Sequence, residues 1–307
     1  MQGYIALREK AGWLDLSARG KIVVRGEDRV RLLHAMTTNH VEQLAPGEGC
    51  YAFFLNPQGR ILGDANLLRR DEDILLDTEP ETHPSLFEHL DRFIIADDVT
   101  LENATARLTT LAVEGPRAGE AAAALGLVIP PAPGAFGGVG DVLVARLSHT
   151  GAEGFRLIAP AEAGEVLIGE LEAAGVVAAD AEAARVVRLE NGTPRYGEDI
   201  TDRHLPQETQ VARALHFHKG CYIGQEIVER IRARGRVNRL LVRLTIDGEA
   251  ASDPGTAIEA GGKPAGEVTS AAFSPAAGKV VALGYLRAEH TRAGTALEVA
   301  GRAARVS

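Results

Sequence analysis

The side chain with the clearest capacity for chemistry is a cysteine in the segment HKGCYIGQE, residues 218–226. This residue, Cys221, is one of two cysteines in 307 residues, and Lys219 lies two positions before it. We take Cys221 as the first residue of a helix whose apolar stripe is Ile223, Ile227 and Ile231. The thiol then lies on the polar edge, where free N–H groups and the lysine favour a thiolate. A packing role for the thiol fits the pattern equally well.

Neighbouring residues offer weaker chemistry. Cys50, in the apolar run CYAFFL, has the setting of an inert packing residue. His216 and His218 precede Cys221 with H-x-H-x-x-C spacing, and on a strand both rings would point the same way. Three such ligands can bind zinc, but no fourth ligand lies nearby and the spacing is not that of a common zinc finger. We therefore predict no metal site.

Charged residues elsewhere are harder to interpret. Asp64 lies in the otherwise apolar run QGRILGDANLL, although strands are depleted in aspartate. It is either an inward carboxylate that its surroundings must satisfy or the outward residue of an edge strand. Arg185 and Glu190 lie on a helix that ends in RLENG, and a basic run occupies 229–239. Both charged segments are either solvated faces or a binding surface for an anionic tail.

The elements that position these residues follow from the hydrophobic pattern. Strands are predicted at 20–26, 73–79 and 99–116, and helices at 27–41, 85–96, 116–126 and in AEAARVVRLENG. A hairpin spans 50–68, with its turn at Asn56-Pro57-Gln58-Gly59. Asp180 is the expected N-cap of the AEAARVVRLENG helix and Gly192 follows its end. The Pro/Gly-rich segment 130–140 is a candidate subdomain junction, and after Arg239 short glycine-split strands suggest a small antiparallel barrel.

Composition limits the class of protein. The net charge of −9 argues against broad nucleic-acid binding, which needs a basic face. Two cysteines make no disulfide framework, the N-terminal segment lacks a signal-peptide core, and no apolar stretch is long enough to span a membrane. We expect a soluble, cytoplasmic α+β protein without nucleic-acid or membrane partners.

At the cysteine segment the chain resembles the YgfZ family, which is related to the aminomethyltransferases (T-proteins) of the glycine cleavage system. The matching signature is K-G-C-Y-x-G-Q-E, read here as Lys219, Gly220, Cys221, Tyr222, Gly224, Gln225 and Glu226. Further segments agree with the family along most of the chain: LDLSARGKIVVRGEDRVRLLHAMTTNHV, YAFFLNPQGRILGD, HTGAEGF, RVVRLENGTPRYGED and RARGRVNRLLVRL.

The resemblance implies a GcvT/YgfZ-like fold, with two α+β folate-binding subdomains in 1–239, which can be discontinuous in sequence, and an antiparallel β-barrel in 240–307. It implies a tetrahydrofolate-binding accessory protein for the assembly or repair of iron–sulfur enzymes, including tRNA-modifying ones, with Cys221 as its functional thiol. The alternative is a folate-dependent aminomethyltransferase or another one-carbon transferase. Expected partners are therefore iron–sulfur enzymes or cluster assembly proteins, and folate.

Residue by residue, the resemblance assigns three positions to folate. Asp64 matches the acid near the reactive folate nitrogens, Arg185 matches an arginine that helps hold folate, and Glu190 matches a glutamate of the same helix. One position departs from the T-protein motif Y-T-G-E-x-G-x-E, whose last glutamate can grip the pterin edge with paired hydrogen bonds. Aligning HTGAEGFR to that motif places Arg156 there, and arginine is a donor only. The pterin then binds differently, or more weakly, or the pocket prefers another group, which argues against simple aminomethyl transfer.

Overall fold

The computed structural model describes all residues 1–307 as seven α-helices and seventeen strands. The helices are α1 (Gln2–Glu9), α2 (Arg29–Met36), α3 (His83–Asp91), α4 (Ala118–Ala124), α5 (Gly164–Ala173), α6 (Ala181–Glu190) and α7 (Gln225–Arg234). The first eleven strands are β1 (Gly12–Asp15), β2 (Gly20–Arg25), β3 (Glu48–Leu55), β4 (Ile61–Arg69), β5 (Asp73–Thr78), β6 (Thr100–Asn103), β7 (Leu108–Glu114), β8 (Phe136–Val139), β9 (Val142–Ala145), β10 (Gly154–Pro160) and β11 (Val177–Ala178). The last six are β12 (Arg239–Ile246), β13 (Ala257–Ala260), β14 (Lys263–Ser274), β15 (Lys279–Arg287), β16 (Ala296–Val299) and β17 (Arg302–Val306).

These strands form two open sheets and one barrel. The first sheet has the order β3-β4-β5-β2-β6, and the second has the order β11-β1-β7-β10-β9-β8. The last six strands close into an antiparallel barrel in the order β12-β15-β14-β13-β16-β17, which removes every sheet edge. The predicted α+β fold with a C-terminal antiparallel barrel is confirmed. No helix is long and apolar enough to cross a membrane.

The chain passes from the first sheet to the second between Asn103 and Leu108. The Pro/Gly-rich segment 130–140, predicted as the junction, instead leads into β8 within the second sheet. β1, near the N-terminus, also belongs to the second sheet, so that sheet is discontinuous in sequence. The predicted single strand at 99–116 is divided between both sheets, with a 3₁₀ turn at Thr105–Arg107 where the crossing occurs.

Helix α6 joins the second sheet to the barrel. Its start is fixed as predicted, because the Asp180 carboxylate accepts a hydrogen bond from the Ala183 N–H at 2.7 Å. Gly192, with φ of 67°, follows its end. The apolar face of α6, including Val187, packs in one buried cluster with Leu7 of α1 and Tyr285 of the barrel. The position of α6 therefore depends on α1 and on the barrel together.

Helix α7 begins four residues later than predicted. Cys221 lies in a loop, and the helix starts at Gln225 after Gly224, whose φ is 83°. A side chain at Gly224 would put a Cβ 2.7 Å from the carbonyl oxygen of Asn56, because this loop packs tightly on the β3–β4 turn. The predicted isoleucine stripe is also wrong, since the fully buried residue of α7 is Val228.

Candidate functional site

A network of buried charges joins the two open sheets. Asp77 of β5 accepts a hydrogen bond from the Arg19 Nε at 2.8 Å and also pairs with Arg156 of β10. Asn66 of β4 donates to the same carboxylate at 3.0 Å. Burial alone would raise the pKa of Asp77, but Arg19 and Arg156 hold it well below its usual range. Asp77 is therefore ionised and carries bonds from both sheets.

Arg156 points into this network and is only 2% exposed. Burial lowers the pKa of its guanidinium, and the ion pair with Asp77 partly offsets that effect. Its Nε is also buried without a hydrogen-bond partner. The T-protein motif has a glutamate, a hydrogen-bond acceptor, at this position. This chain has Arg156 instead, which can only donate and which is already paired with Asp77 of β5.

Asp64 lies beside the network on β4. Its side chain points inward, which is the first of the two alternatives left open by the sequence. Its carboxylate accepts a hydrogen bond from the Tyr51 hydroxyl at 2.5 Å. Burial, together with the nearby Glu79 carboxylate, raises the pKa of Asp64 to about 6. A carboxyl with this pKa exchanges protons near neutral pH, as a general acid or base requires.

Two cavities border the network, one of them lined by Asn66 and the other by Arg19. The first, here called the Tyr51 cavity, has a volume of about 450 Å³. Its lining includes Tyr51, Asn66, Cys50, Arg146 and Arg213. The Arg213 guanidinium lies 4.9 Å from the centre of the Tyr51 ring, and neither Arg213 nor Arg146 forms an ion pair. This cavity therefore combines an aromatic wall with two arginines that have no carboxylate partner and one acid, Glu153, a setting suited to a planar ligand with an anionic tail.

The second, the arginine cavity, has a volume of about 510 Å³. Its cations are Arg19, Arg185, Arg188 and Arg195, and its acids include Glu79 and Glu198. All four arginines are paired with carboxylates. Arg185 donates to Glu198 at 2.7 Å and to the barrel carbonyl of Ala271 at 2.7 Å. In this structure Arg185 therefore holds α6 against the barrel.

The structure does not bring the three folate assignments to one cavity. Asp64 reaches the Tyr51 cavity through its bond to Tyr51, whereas Arg185 lines the arginine cavity. Glu190 lines neither, because its carboxylate accepts from Tyr4 and Arg8 of α1 and from Ser274 of the barrel, each at 2.6 Å. Folate contacts by Arg185 and Glu190 remain predictions.

Cys221 is exposed, as predicted, but for a different reason. It lies on the loop before α7, so the helix-start argument for its ionisation does not apply. The Lys219 ammonium is directed away from the loop, because it donates to the carbonyls of His34 and Thr37, each at 2.5 Å. Burial lowers the pKa of Lys219 to about 8. The remaining signature residues shape this loop, with the Tyr222 ring 4.6 Å from the Lys219 ammonium and Gly224 permitting the turn into α7.

Other signature residues and histidines are placed as follows. Gln225 and Glu226 open α7, and Gly220 precedes the cysteine beside His34. His216 and His218 lie outside any strand and do not group with Cys221 as metal ligands.

The sequence analysis did not identify Asp77, although ILLDT has an isolated acid among apolar residues, the same pattern that indicated Asp64. Nothing local to Tyr51 or Arg213 indicated that they share a cavity.

Comparison with known proteins agrees with this architecture. Residues 2–219 match the GCVT N-terminal domain, and residues 239–307 match the glycine cleavage T-protein C-terminal barrel domain. Curated proteins named aminomethyltransferase are similar to the chain: that of Rippkaea orientalis is 31% identical, with 96% of this chain and 83% of the relative covered. Those of Rubrobacter xylanophilus and Streptomyces coelicolor are each 30% identical, with 92% and 95% of this chain and 78% and 82% of the relatives covered.

A solved structure, the glycine cleavage system aminomethyltransferase T from Bartonella henselae, superposes with a TM-score of 0.90. It covers 99% of this chain and 87% of its own, at 23% identity, and so supports the fold. The relatives' names favour the aminomethyltransferase alternative over the iron–sulfur accessory role, which none of these comparisons supports. The chain belongs to the family defined by the GCVT N-terminal domain and the glycine cleavage T-protein C-terminal barrel domain.

Proposed function

We propose that this chain binds a reduced folate in the Tyr51 cavity. Family membership supports the ligand class, and the cavity's own residues support the place. Tyr51 offers an aromatic surface, and Arg146 and Arg213, which form no ion pair, offer two cations for the anionic tail. Asp64 does not line the cavity itself, but its carboxyl, with a pKa of about 6, accepts a hydrogen bond from the Tyr51 hydroxyl. The tail contacts are surface ion pairs, so affinity should fall as salt rises.

Calorimetry with tetrahydrofolate tests the proposal. Arg213→Gln should weaken binding and flatten its salt dependence, and Asp64→Asn should weaken binding with the salt dependence retained. Arg117→Gln, which removes an exposed arginine paired only with Glu120, is the matched control and should bind as the parent does. The absence of both heat and a thermal shift at millimolar ligand would refute folate binding.

We further propose that the folate supports an accessory role toward iron–sulfur enzymes, the function implied by the resemblance to the YgfZ family, rather than aminomethyl turnover. The observation that carries this proposal is Arg156, buried in the ion pair with Asp77 where an acceptor for the pterin edge is expected. The relatives are only about 30% identical to this chain, so their activity transfers only if the site residues agree, and the T-protein motif described above has a glutamate where this chain has Arg156. The exposed Cys221 in the KGCYIGQE loop adds a second group suited to a partner protein.

Folate-dependent aminomethyl transfer is the second candidate, and the names of the relatives favour it. The two separate in an assay with aminomethyl-loaded lipoyl carrier protein and tetrahydrofolate. We expect no ammonia release above background. Turnover on the order of 1 s⁻¹, the range of ordinary enzymes, would establish the transferase instead.

Complementation of a strain that lacks its YgfZ protein tests the accessory role directly. The parent chain should restore the activity of tRNA-modifying iron–sulfur enzymes. Cys221→Ser should not, whereas Cys50→Ser should behave as the parent. Failure of the parent chain to complement, with folate binding intact, would reject the accessory role and leave the binding proposal standing.

A further inference from the structure

Three metal-ligating side chains meet at the end of α2, outside both cavities. His34 lies on α2, and His40 and Glu42 lie on the turn that follows it. One ligand atom from each lies within 4.8 Å of the others. The His34 Nε2 is 3.7 Å from a Glu42 carboxylate oxygen, and the two imidazole rings meet edge-on with centres 4.7 Å apart.

The two histidines have unmet hydrogen-bonding capacity. The Nδ1 atoms of both His34 and His40 are buried and have no partner, and His34 is only 6% exposed. An unpaired buried polar atom costs about 1–3 kcal/mol, so a native structure normally provides a partner for it. The His34 nitrogen that faces Glu42 is Nε2, so a cation would bind there, and the Nδ1 atom would carry the proton that a metal-bound histidine donates to a second partner.

The backbone around the group is firmly held. The loop before α7 crosses the end of α2, where the His216 N–H donates to the Thr38 carbonyl at 3.0 Å and the Ile223 N–H to the Ala35 carbonyl at 3.1 Å. The Lys219 ammonium is bonded to two further carbonyls of the same turn. Its positive charge opposes a cation nearby, and the Glu42 carboxylate supplies the compensating negative charge.

We propose that His34, His40 and Glu42 bind a divalent transition cation of the Zn²⁺ or Fe²⁺ class. Two imidazoles and one carboxylate are a common ligand set for these ions and leave at least one coordination position open. Bonds of about 2.0–2.2 Å would require the ligand atoms to close by about 1 Å. Glu42 is exposed and can move that far by changing rotamer. This proposal departs from the expectation that the chain holds no metal, and it uses other residues than the H-x-H-x-x-C set.

The test is titration of tag-free, chelator-treated full-length protein with Co²⁺, followed by displacement with Zn²⁺. We expect one equivalent to bind, with the visible absorption of a coordinated cobalt ion and no thiolate-to-cobalt charge-transfer band. His40→Gln and Glu42→Gln should each weaken binding at least about tenfold. Both residues are at least partly exposed, so the variants should keep the melting temperature of the metal-free parent.

The matched control is His290→Gln, which removes another histidine beside a glutamate, with the His290 Nε2 3.4 Å from Glu289. This variant should bind cobalt as the parent does. The proposal is overturned if no stoichiometric uptake occurs, if the His40 and Glu42 variants bind as tightly as the parent, or if a thiolate band shows cysteine ligation. Tetrahydrofolate binding should be the same in Glu42→Gln and the parent, which separates this site from the folate proposal.

Discussion

At the scale of single residues, Asp64 is the group whose ionisation matters most. Its pKa of about 6 lies about two units above the ordinary value of 3.8, because burial penalises its charge. Asp64 therefore holds its proton more strongly in the folded than in the unfolded protein, and stability is lost as pH rises from about 4 through 6. Two pKa units correspond to about 3 kcal/mol.

Asp64→Asn should therefore raise the free energy of unfolding at pH 8 by up to about 3 kcal/mol, because it removes a buried charge that the native state disfavours. The gain over the parent should shrink as pH falls and be nearly absent at pH 4. Urea denaturation at both pH values measures it. A constant difference between parent and variant across this range would show that Asp64 titrates as an ordinary aspartate.

The two cysteines should differ sharply in reactivity. Burial raises the pKa of Cys50 to about 12, so almost none of it is thiolate at pH 8. Cys221 is exposed on its loop. Iodoacetamide at pH 8 should label Cys221 at least about 100-fold faster than Cys50, as measured by mass spectrometry of the peptides. Similar rates would show that Cys50 is accessible and that the loop gives Cys221 no special role.

At the scale of elements, the buried pair of Arg156 with Asp77 links β10 of the second sheet to β5 of the first. Arg156→Met keeps most of the side-chain volume but leaves the Asp77 charge with Arg19 as its remaining cation. Removing one partner from a buried pair costs about 3–5 kcal/mol, so we expect a loss of about 3 kcal/mol in unfolding free energy.

The control is Arg117→Met, which breaks an exposed pair with Glu120 and should change stability by less than about 1 kcal/mol. Both variants can be measured by urea denaturation with Trp13 fluorescence, since Trp13 is the only tryptophan and lies on β1 of the second sheet. Equal effects of the two substitutions would mean that Arg156 contributes no more than a surface charge.

Helices α6 and α7 show which helix boundaries the sequence alone can predict. Helix α6 was predictable because its signals are local: Asp180 caps it and Gly192 follows its end. The start of α7 was not, because Gly224 takes its left-handed conformation to fit against the β3–β4 turn, which is distant in sequence. The pairing of Arg156 with Asp77 could not be predicted either, because the two residues lie 79 positions apart in the sequence. Each of them is a charged residue in an otherwise apolar run, which indicates only that it needs a partner.

At the scale of the whole molecule, the barrel and the second sheet share a core. Tyr285 of β15 is 1% exposed, stacks on His204 with ring centres 4.1 Å apart, and packs in the cluster that contains the apolar face of α6. The barrel is thus not an independent appendage. The division of the chain into a folate-binding module at 1–239 and a barrel at 240–307 stays a prediction.

Tyr285→Ala should lower the unfolding free energy by about 3–5 kcal/mol, because it leaves a large cavity between the barrel and α6. The loss should appear equally in Trp13 fluorescence, which reports the second sheet, and in circular dichroism, which reports the whole chain. The exposed substitution Val139→Ala should change neither. A dichroism transition that shifts while the fluorescence transition stays would show that the barrel unfolds on its own.

The contacts of the Glu190 carboxylate limit how early in synthesis helix α1 can reach its native position. It holds Tyr4 and Arg8 of the first helix and Ser274 of the barrel, contacts that span 186, 182 and 84 residues. A ribosome adds about 5–20 residues per second, so the first helix waits on the order of ten seconds or more before all its partners exist. The α1 segment is therefore synthesised well before the partners on which it docks. During that interval α1 lacks the contacts with α6 and the barrel that cover part of its apolar face.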